Sequence, residues 1–321
     1  MRNNSLLVLA FATLLSAGFV ACGDDDDDVA PGQGTPSSGT GQLSSGLRVT
    51  RVGDYTFEYD SEGRLTRVSE GNYYSYKFSY NPNKITEEYY GDDEESYSVG
   101  YNSNGYMSSL SYEYVDGDES ESGRASFSYD GEGHLIKITT TAKESGYDYD
   151  GPYSSFDEGT LNLIWKDGRL TNVVDKYSWK DSDGDSGNET DTWTYDFGNN
   201  VLENKYLQFP PSILRSIIED YDFLGYVGIL GNGPKYLPSS AKYVEVENGD
   251  VVEEHSYSYS YGFNNDGSLS YCISDGSRYG YSYESQESVR KAPALALPQN
   301  FGQGENMTRS LRNLFRRHIR R

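Results

Sequence analysis

The chain has 321 residues, with 50 acidic against 27 basic side chains, a net charge of −23 and only two cysteines. Aliphatic residues are so scarce that composition and charge alone would favour disorder, but 31 tyrosines raise the aromatic content to 14% and can build a core. The acidic balance excludes nucleic acid as an expected partner, because phosphate binding needs clustered Lys and Arg. At about 100 to 200 residues per domain, the length permits one large domain or two small ones.

The first residues carry a pattern typical of secretion. Residues 1–21 contain one charge, Arg2, and an apolar run too short to cross about 30 Å of hydrocarbon comfortably, so we predict a signal peptide. The run ends in Phe19-Val20-Ala21-Cys22, which resembles a bacterial lipobox. This resemblance implies that Cys22 is lipidated and begins the mature protein, which would anchor it permanently to a membrane. The alternative is a soluble secretory signal with an incidental cysteine.

An acidic run directly follows the cysteine. It resembles the surface-export signal of Bacteroidetes-type lipoproteins and consists of Asp24, Asp25, Asp26, Asp27 and Asp28. Five adjacent like charges also repel and extend, so a solvated spacer is the alternative. Residues 22–46 are predicted to form the lipidated cysteine and a flexible acidic and Gly/Ser-rich tether. We expect a lipid-anchored outer-membrane protein that faces the cell exterior.

One phrase recurs through residues 47–285, the predicted folded domain. Tyr55–Val68 is matched by Ala125–Ile138, and both contain an aromatic residue, Asp, two residues, Gly, one residue and Leu. This is typical of a β-hairpin in which Asp caps the turn and Gly takes a positive φ. Leu65 and Val68 break the period of two, which indicates either a bulge or a valine on the other face.

Aromatic and polar residues alternate along the strands around these turns. The alternation is clean in Tyr74–Tyr80, Tyr257–Phe263 and Tyr279–Tyr283, so each strand has one aromatic and one wet face. The turn spacing predicts an all-β fold, an up-and-down antiparallel meander of roughly 14 to 16 strands. Accumulated twist should curl it into an open or closed barrel. We expect short turns at one rim and acidic loops at the other, in the stretches Gly91–Glu95, Asp116–Glu121 and Asp181–Asn188.

One segment interrupts the meander. Apolar residues recur at helical spacing after Pro210-Pro211 and predict one short helix near 212–224. Because this segment is too apolar to lie free in water, we expect it to pack against the sheet or to plug the barrel.

These features together resemble a bacteroidete lipoprotein family, domain of unknown function 4595, described as having a porin-like fold. The resemblance covers about residues 48–285 and includes Phe223-Leu224-Gly225 and Leu237-Pro238-Ser239. The hairpins alone also resemble the tyrosine-aspartate repeats of Rhs-type toxins. The resemblance implies a β-meander and no known activity. A membrane pore needs a lipid-facing apolar band and strands of about 9 to 11 residues. The strands of this chain look shorter, which favours a soluble barrel with an aromatic core. An outer-membrane channel is the alternative.

Few residues indicate chemistry. The three histidines, His134, His255 and His318, lack zinc spacing, and no nucleophile elbow is present. We therefore predict a protein that is not an enzyme, with no catalytic residues, no metal and no cofactor; a hydrolase acting on glycans is the third alternative. Cys272 lies in a strand-like run and is expected to be a small buried hydrophobe.

Two charged segments leave alternatives open. Asp181, Asp183 and Asp185 resemble the start of a calcium loop, although Ser186 and Thr192 stand where Gly and Glu are wanted, so a solvated hairpin loop is the other interpretation. Residues 286–321 form a basic tail that suits an amphipathic helix on anionic lipid or a segment folding back onto the acidic body. We expect a monomer that is attached to a membrane and binds a glycan or protein ligand.

Overall fold

The computed structural model describes residues 47–89, 92–148, 151–199, 201–218 and 221–285. Sixteen antiparallel strands form one closed barrel, in which the last strand pairs with the first. The first eight are β1 (Leu47–Val52), β2 (Tyr55–Tyr59), β3 (Leu65–Glu70), β4 (Tyr74–Tyr80), β5 (Asn83–Tyr89), β6 (Asp92–Tyr101), β7 (Met107–Asp116) and β8 (Glu119–Tyr129). Four more precede an insertion: β9 (Leu135–Asp148), β10 (Gly151–Lys166), β11 (Arg169–Asp181) and β12 (Ser186–Asp196). The predicted all-β meander is confirmed, and the barrel is closed. The expectation of short strands is wrong for β8 to β12, which have 11 to 16 residues because their ladders continue up to tight turns.

The insertion between the twelfth and thirteenth barrel strands carries two short helices and a small two-stranded sheet. Its elements are β13 (Leu202–Glu203), α1 (Pro211–Leu214), α2 (Phe223–Tyr226) and β14 (Tyr236–Leu237). Four strands then complete the barrel: β15 (Ser240–Glu247), β16 (Asp250–Phe263), β17 (Leu269–Ser274) and β18 (Ser277–Ser285). No helix in the described part of the chain is both long and apolar enough to cross a membrane.

The barrel has two rims, which we call lower and upper. The lower rim holds the turns that begin at Asp60, Asn81, Asn102, Asp130, Asp167 and Asn264. The upper rim holds the turns at Gly53, Gly71, Gly117, Ser182, Asn248 and Asp275. The stretches predicted as acidic loops do lie at the upper rim, but they are mostly strand, because the acidic residues continue the ladder up to tight turns.

Three of the lower-rim hairpins share one turn chemistry. In the first, Asp60 Oδ1 accepts the backbone N–H groups of Glu62 and Arg64 at 3.0 and 2.9 Å, and Gly63 has a φ of 85°. The same pair of bonds recurs from Asn102 and Asp130. A side-chain oxygen that satisfies two turn amides, followed by a glycine in the left-handed region, fixes a tight reversal.

A β-bulge follows the turn and explains the broken period. Tyr59 pairs with Leu65, whereas Phe57 pairs with Val68, so one extra residue lies in β3. Both apolar side chains of β3 therefore reach the core, which decides between the two alternatives. The equivalent bulge occurs next to Tyr101, Tyr129, Trp165 and Phe263.

Aromatic residues beside the turns connect successive hairpins. Each donates a hydrogen bond to the first residue of the bulged strand in the preceding hairpin: Tyr80 Oη to the Leu65 carbonyl at 2.8 Å, Tyr129 Oη to Met107 at 2.7 Å, and Trp165 Nε1 to Leu135 at 2.8 Å. The hydroxyls and indole satisfy carbonyls at the bulges, where the ladder is disrupted. The repeated aromatic position thus fixes the spacing between hairpins as well as filling the core.

The insertion closes the lower rim and fills the barrel. Its backbone bonds to the turns, with Asn232 N–H to the Gly133 carbonyl at 2.9 Å and Lys235 N–H to Gly168 at 2.8 Å. Within the barrel, Phe223 stacks on Tyr76 with ring centroids 4.4 Å apart. We call residues 209–230 of this insertion, as far as they are described, the plug.

The plug contains two one-turn helices rather than the single helix predicted for 212–224. Its apolar residues are at most 1% exposed, which includes Ile213, Leu214, Ile217, Ile218, Tyr221, Phe223, Leu224, Tyr226, Val227, Ile229 and Leu230. A segment buried on every side gains as much from a bent path as from one amphipathic helix. Gly225 permits the two turns to touch, since a Cβ there would lie 2.3 Å from a methyl carbon of Leu214.

Candidate functional site

The interior of the barrel has an aromatic lower layer and an acidic upper layer. Cross-strand partners share one face of a sheet, so the register identifies the carboxylates that lie on the same face as core aromatics. They include Glu70, Glu87, Glu95, Glu121, Glu144, Asp157, Asp175, Glu189, Asp191, Glu245, Glu247 and Glu253. On most of these strands the acid lies nearer the upper rim than the apolar core residues; β11 is an exception, since buried Tyr177 lies above Asp175. We call these twelve residues the acidic wall.

Several members of the acidic wall lie directly beside one another. Asp175 pairs with Asp191, Asp191 with Glu245, and Glu245 with Glu253, so one row of carboxylates crosses four strands. Asp175 and Glu245 are 8% and 3% exposed. Like charges placed opposite each other destabilise a sheet, so this row needs hydrogen-bond donors, protons or cations.

Tyrosine hydroxyls supply part of that compensation. Tyr153 Oη donates to Glu144 at 3.0 Å, and Tyr243 Oη donates to Glu245 at 3.0 Å. Equivalent bonds run from Tyr112 to Glu121 and from Tyr97 to Glu95. Burial, followed by the charge of Asp191 and the bond to Glu245, holds the pKa of Tyr243 well above its usual value, so this phenol remains a proton donor.

Cationic side chains are few in this upper layer. Among the described residues, the register and contacts bring two into it: His255, which bonds to Glu253, and Arg215 of the plug, whose guanidinium lies 5.2 Å from the Tyr257 ring centroid. Two basic groups against twelve carboxylates leave the wall strongly negative.

The most concentrated group of carboxylates comprises Glu189, Glu245 and Glu247. Their oxygens lie within 4.8 Å of one another, a spacing that fits a hard divalent cation with oxygen ligands. Within the ranges that the structure covers, this is the one group that meets that spacing. The sequence did not single out these residues, and the prediction of no metal stays a prediction.

The predicted calcium residues lie elsewhere and make a different structure. Asp181 Oδ1 accepts the N–H groups of Asp183 and Asp185 at 3.1 and 2.9 Å, which is the lower-rim turn repeated at the upper rim. Of the residues described, these three do not gather their carboxylates into a metal-sized group. The geometry favours the hairpin-loop interpretation.

A second concave surface lies on the outside of the barrel. A groove of about 800 Å³ crosses β7 to β11 near the upper rim. The register directs outward the side chains of Glu113, Val115, Ser120, Ser122, Lys143, Ser145, Ser154, Phe156 and Lys180. We call these nine residues the outer groove. Phe156 is 38% exposed and pairs across the sheet with Lys143 on one side and Lys180 on the other.

The remaining residues singled out from sequence have structural surroundings or lie outside the described ranges. His134 stacks on Trp165 at 4.2 Å and contacts the turn carboxylate of Asp130. Cys272 is fully buried, as predicted, and burial raises the pKa of its thiol to about 11, which keeps it protonated. Cys22, Asp24 to Asp28 and His318 lie outside the described residues.

Sequence reasoning missed the acidic wall although its signal was present. In Glu189-x-Asp191-x-Trp193-x-Tyr195, the acids occupy the same alternate positions as the aromatics. The outer groove gave no such signal, because its residues come from five strands whose register the sequence does not specify.

Comparison with known proteins places the chain in a protein family. The family described as "Domain of unknown function (DUF4595) with porin-like fold" matches residues 57–270. A crystal structure of a porin-like protein from Bacteroides uniformis is similar at 15% identity, covering 72% of this chain and 89% of that chain, with a TM-score of 0.31. No curated protein matches the chain. Because the family match spans most of the barrel, the chain belongs to this family of unknown function with a porin-like fold.

Proposed function

We propose that this protein is a lipid-anchored, outward-facing protein of the outer membrane that binds a ligand without catalysis. The lipobox-like sequence ending at Cys22 and the acidic run Asp24–Asp28 support the anchor and the export. The main observation in favour of a binding role is that the barrel is divided into a filled lower layer and a polar upper end. A filled barrel is a rigid support, and its upper end presents the ligand-facing surfaces.

The plug argues against the channel alternative. A pore needs a continuous aqueous path, whereas the plug packs its apolar residues against the inner face of the barrel, as in the pair Phe223 and Tyr76. The outer face is also polar, for example at Ser75, Lys77, Ser122, Arg124, Ser126, Ser256, Ser258 and Ser260. A lipid-facing surface needs an apolar band about 25 Å tall, and these positions supply none.

The outer groove lacks the pair of carboxyl groups that the enzyme alternative would need on this surface. Hydrolysis of a glycoside requires two carboxyl groups that flank the scissile bond. Among the outward side chains of the outer groove there is one carboxylate, Glu113, while the other acids nearby face the interior. This arrangement suits binding without cleavage.

Replacement of Cys22 tests the anchor and the channel together. We expect Cys22→Ser to release the protein from membranes without detergent as a soluble, β-rich monomer, while Cys272→Ala, the matched cysteine control, stays membrane-bound. Purified protein of natural sequence should produce no conductance steps in planar bilayers. Retention of Cys22→Ser in the membrane, together with conductance steps, would contradict the proposal and favour a channel.

Surface exposure needs a separate measurement. Protease treatment of intact cells should remove the barrel's epitope from the natural protein. A variant with Asp24 to Asp28 replaced by Asn should stay protected if the acidic run directs export. Equal cleavage of both proteins would mean that the run is a spacer only.

A further inference from the structure

The outer groove is built around one aromatic ring between two ammonium groups. Phe156 pairs with Lys143 of β9 and Lys180 of β11, so the three side chains stand in a row across adjacent strands. At about 4.8 Å between strands, this row extends over roughly 10 Å. The Lys143 Nζ lies 5.9 Å from the Phe156 ring centroid. The row therefore places an apolar ring and two positive charges within roughly 10 Å, which one short ligand could span.

A second row of hydroxyls runs beside the first. Ser120 pairs with Ser145, and Ser145 pairs with Ser154, so three serines stand side by side. The Ser120 and Ser145 Oγ atoms are 2.9 Å apart, and each hydroxyl keeps capacity to donate or accept a further bond. Ser122, beside Lys143, adds a fourth hydroxyl.

The charges of this row are unusual for the molecule. Residues 47–285 contain 43 acidic and 18 basic side chains. Even so, neither Lys143 nor Lys180 has a carboxylate of the described residues within ion-pair distance, whereas Lys77 and Lys242 on the same outer face are ion-paired. Distant acids are screened beyond about 8 Å at physiological salt. Two lysines without carboxylate partners beside an exposed ring are suited to an anion carried on a flat, partly apolar body.

We propose that the outer groove binds an acidic saccharide, which rests on the proposed function as a binding protein. The apolar C–H face of one sugar ring stacks on the ring of Phe156, which is 38% exposed. A carboxylate or sulfate on the same or the next ring bonds to Lys143 and Lys180 through charge-assisted hydrogen bonds. The serine row meets the sugar hydroxyls. The span of the charged row matches roughly a disaccharide.

Three polymers test this on the full-length Cys22→Ser chain by titration calorimetry. Polygalacturonate has sugar rings and carboxylates, its fully methyl-esterified form has the rings without charge, and polyglutamate has the charge without rings. We expect binding to polygalacturonate at least roughly tenfold tighter than to either of the others, since the loss of one charged contact alone costs about that factor. Equal binding of polyglutamate would reduce the groove to simple anion attraction and overturn the proposal.

Matched variants locate the site. Phe156→Ser and Lys180→Ser should each weaken polygalacturonate binding roughly tenfold. Ile164→Ser and Lys176→Ser change the same residue classes at exposed outward positions of β10 and β11 outside the groove, and should leave binding unchanged. Because all four sites are exposed, circular dichroism should show folded proteins throughout. Uniform behaviour of the four variants would contradict the assignment.

The proposed function and this inference can fail separately. A Cys22→Ser protein that stays in the membrane and conducts ions refutes the anchored binding barrel. A soluble, monomeric Cys22→Ser protein that binds none of the polymers leaves the barrel proposal standing and refutes the acidic-saccharide site alone.

Discussion

The buried tyrosines should make the barrel unfold sharply in alkali. Burial is the first cause that holds the pKa of ten phenols far above the ordinary value of 10.0: Tyr59, Tyr80, Tyr101, Tyr129, Tyr195, Tyr226, Tyr259, Tyr261, Tyr281 and Tyr283. A raised folded-state pKa contributes stability that is fully present below the unfolded-state pKa. That contribution is lost as the pH rises, because the unfolded chain releases protons that the folded protein keeps.

The size of this effect is comparable to the whole stability of a domain. Each such tyrosine favours the unfolded state by about 0.8 kcal/mol at about pH 10.5 and by about 1.4 kcal/mol at about pH 11. Ten of them together amount to about 8 and 14 kcal/mol at these pH values, against a typical unfolding free energy of about 5 to 15 kcal/mol. We therefore expect one cooperative transition between about pH 10 and 11.

Tyrosinate absorbance and circular dichroism, measured on the same samples, check this expectation. A step in tyrosinate absorbance from these ten phenols should coincide with the loss of the β-sheet dichroism, because a ring buried in the core ionises only when the strands separate. Tyr281→Phe should raise the midpoint, since it removes one titrating group whose hydroxyl is buried without a hydrogen-bond partner among the described residues. Tyr147→Phe, at a ring that is 64% exposed, should not. Tyrosinate absorbance that reaches the amplitude of all 31 tyrosines while the strands remain intact would refute the buried aromatic core.

Four further predictions address other parts of the fold. Tyr129→Phe removes the bond to the preceding hairpin and should cost about 1 kcal/mol, or roughly 2 to 4 °C in thermal denaturation. Gly225→Ala forces a methyl group against the plug and should cost about 1 to 3 kcal/mol in urea denaturation, whereas Gly280→Ala, with open space around it, should be near neutral. Burial raises the pKa of Glu88, but hydrogen bonds and positive charges from its neighbours outweigh burial and lower the pKa overall. The stability that ionised Glu88 contributes to the fold is therefore lost as the pH falls below about 4.5. Glu88→Gln should flatten this acid dependence in a plot of unfolding free energy against pH. Glu245→Gln relieves repulsion in the carboxylate row and should raise the thermal midpoint in metal-free buffer at neutral pH, and a decrease would show that its charge is already compensated.

The sequence was most informative where local chemistry repeats. Asp60 and Gly63 define their hairpin through bonds that involve only five residues, so the same letters at Asp130 predict the same turn. Alternation placed the aromatics on one face, and the closed barrel makes that face the interior. The sequence showed that the alternation breaks at Val68, but only the register of the neighbouring strand identified a β-bulge as the cause.

The plug and the groove depend on contacts that are distant in sequence. Helical spacing over 212–224 predicted one helix, but the path of that segment is set by the rings it meets, such as Tyr55 and Tyr76 from the first strands. The row formed by Lys143, Phe156 and Lys180 likewise exists only once three strands are in register. No local sequence pattern predicts either the path of the plug or this row of side chains.

The two ends of the barrel differ in how completely their local rules agree. At the lower rim, turn residues, bulges, aromatic hydrogen bonds and the plug all favour one structure. At the upper rim the strands from β8 to β12 lengthen to between 11 and 16 residues, and the row from Asp175 to Glu253 sets like charges side by side. Sites where local rules conflict within an otherwise consistent fold are where function is expected. Half of the acidic wall and most of the outer groove lie on opposite faces of β8 to β12, so these strands are the part of the molecule where ligand binding should be sought first.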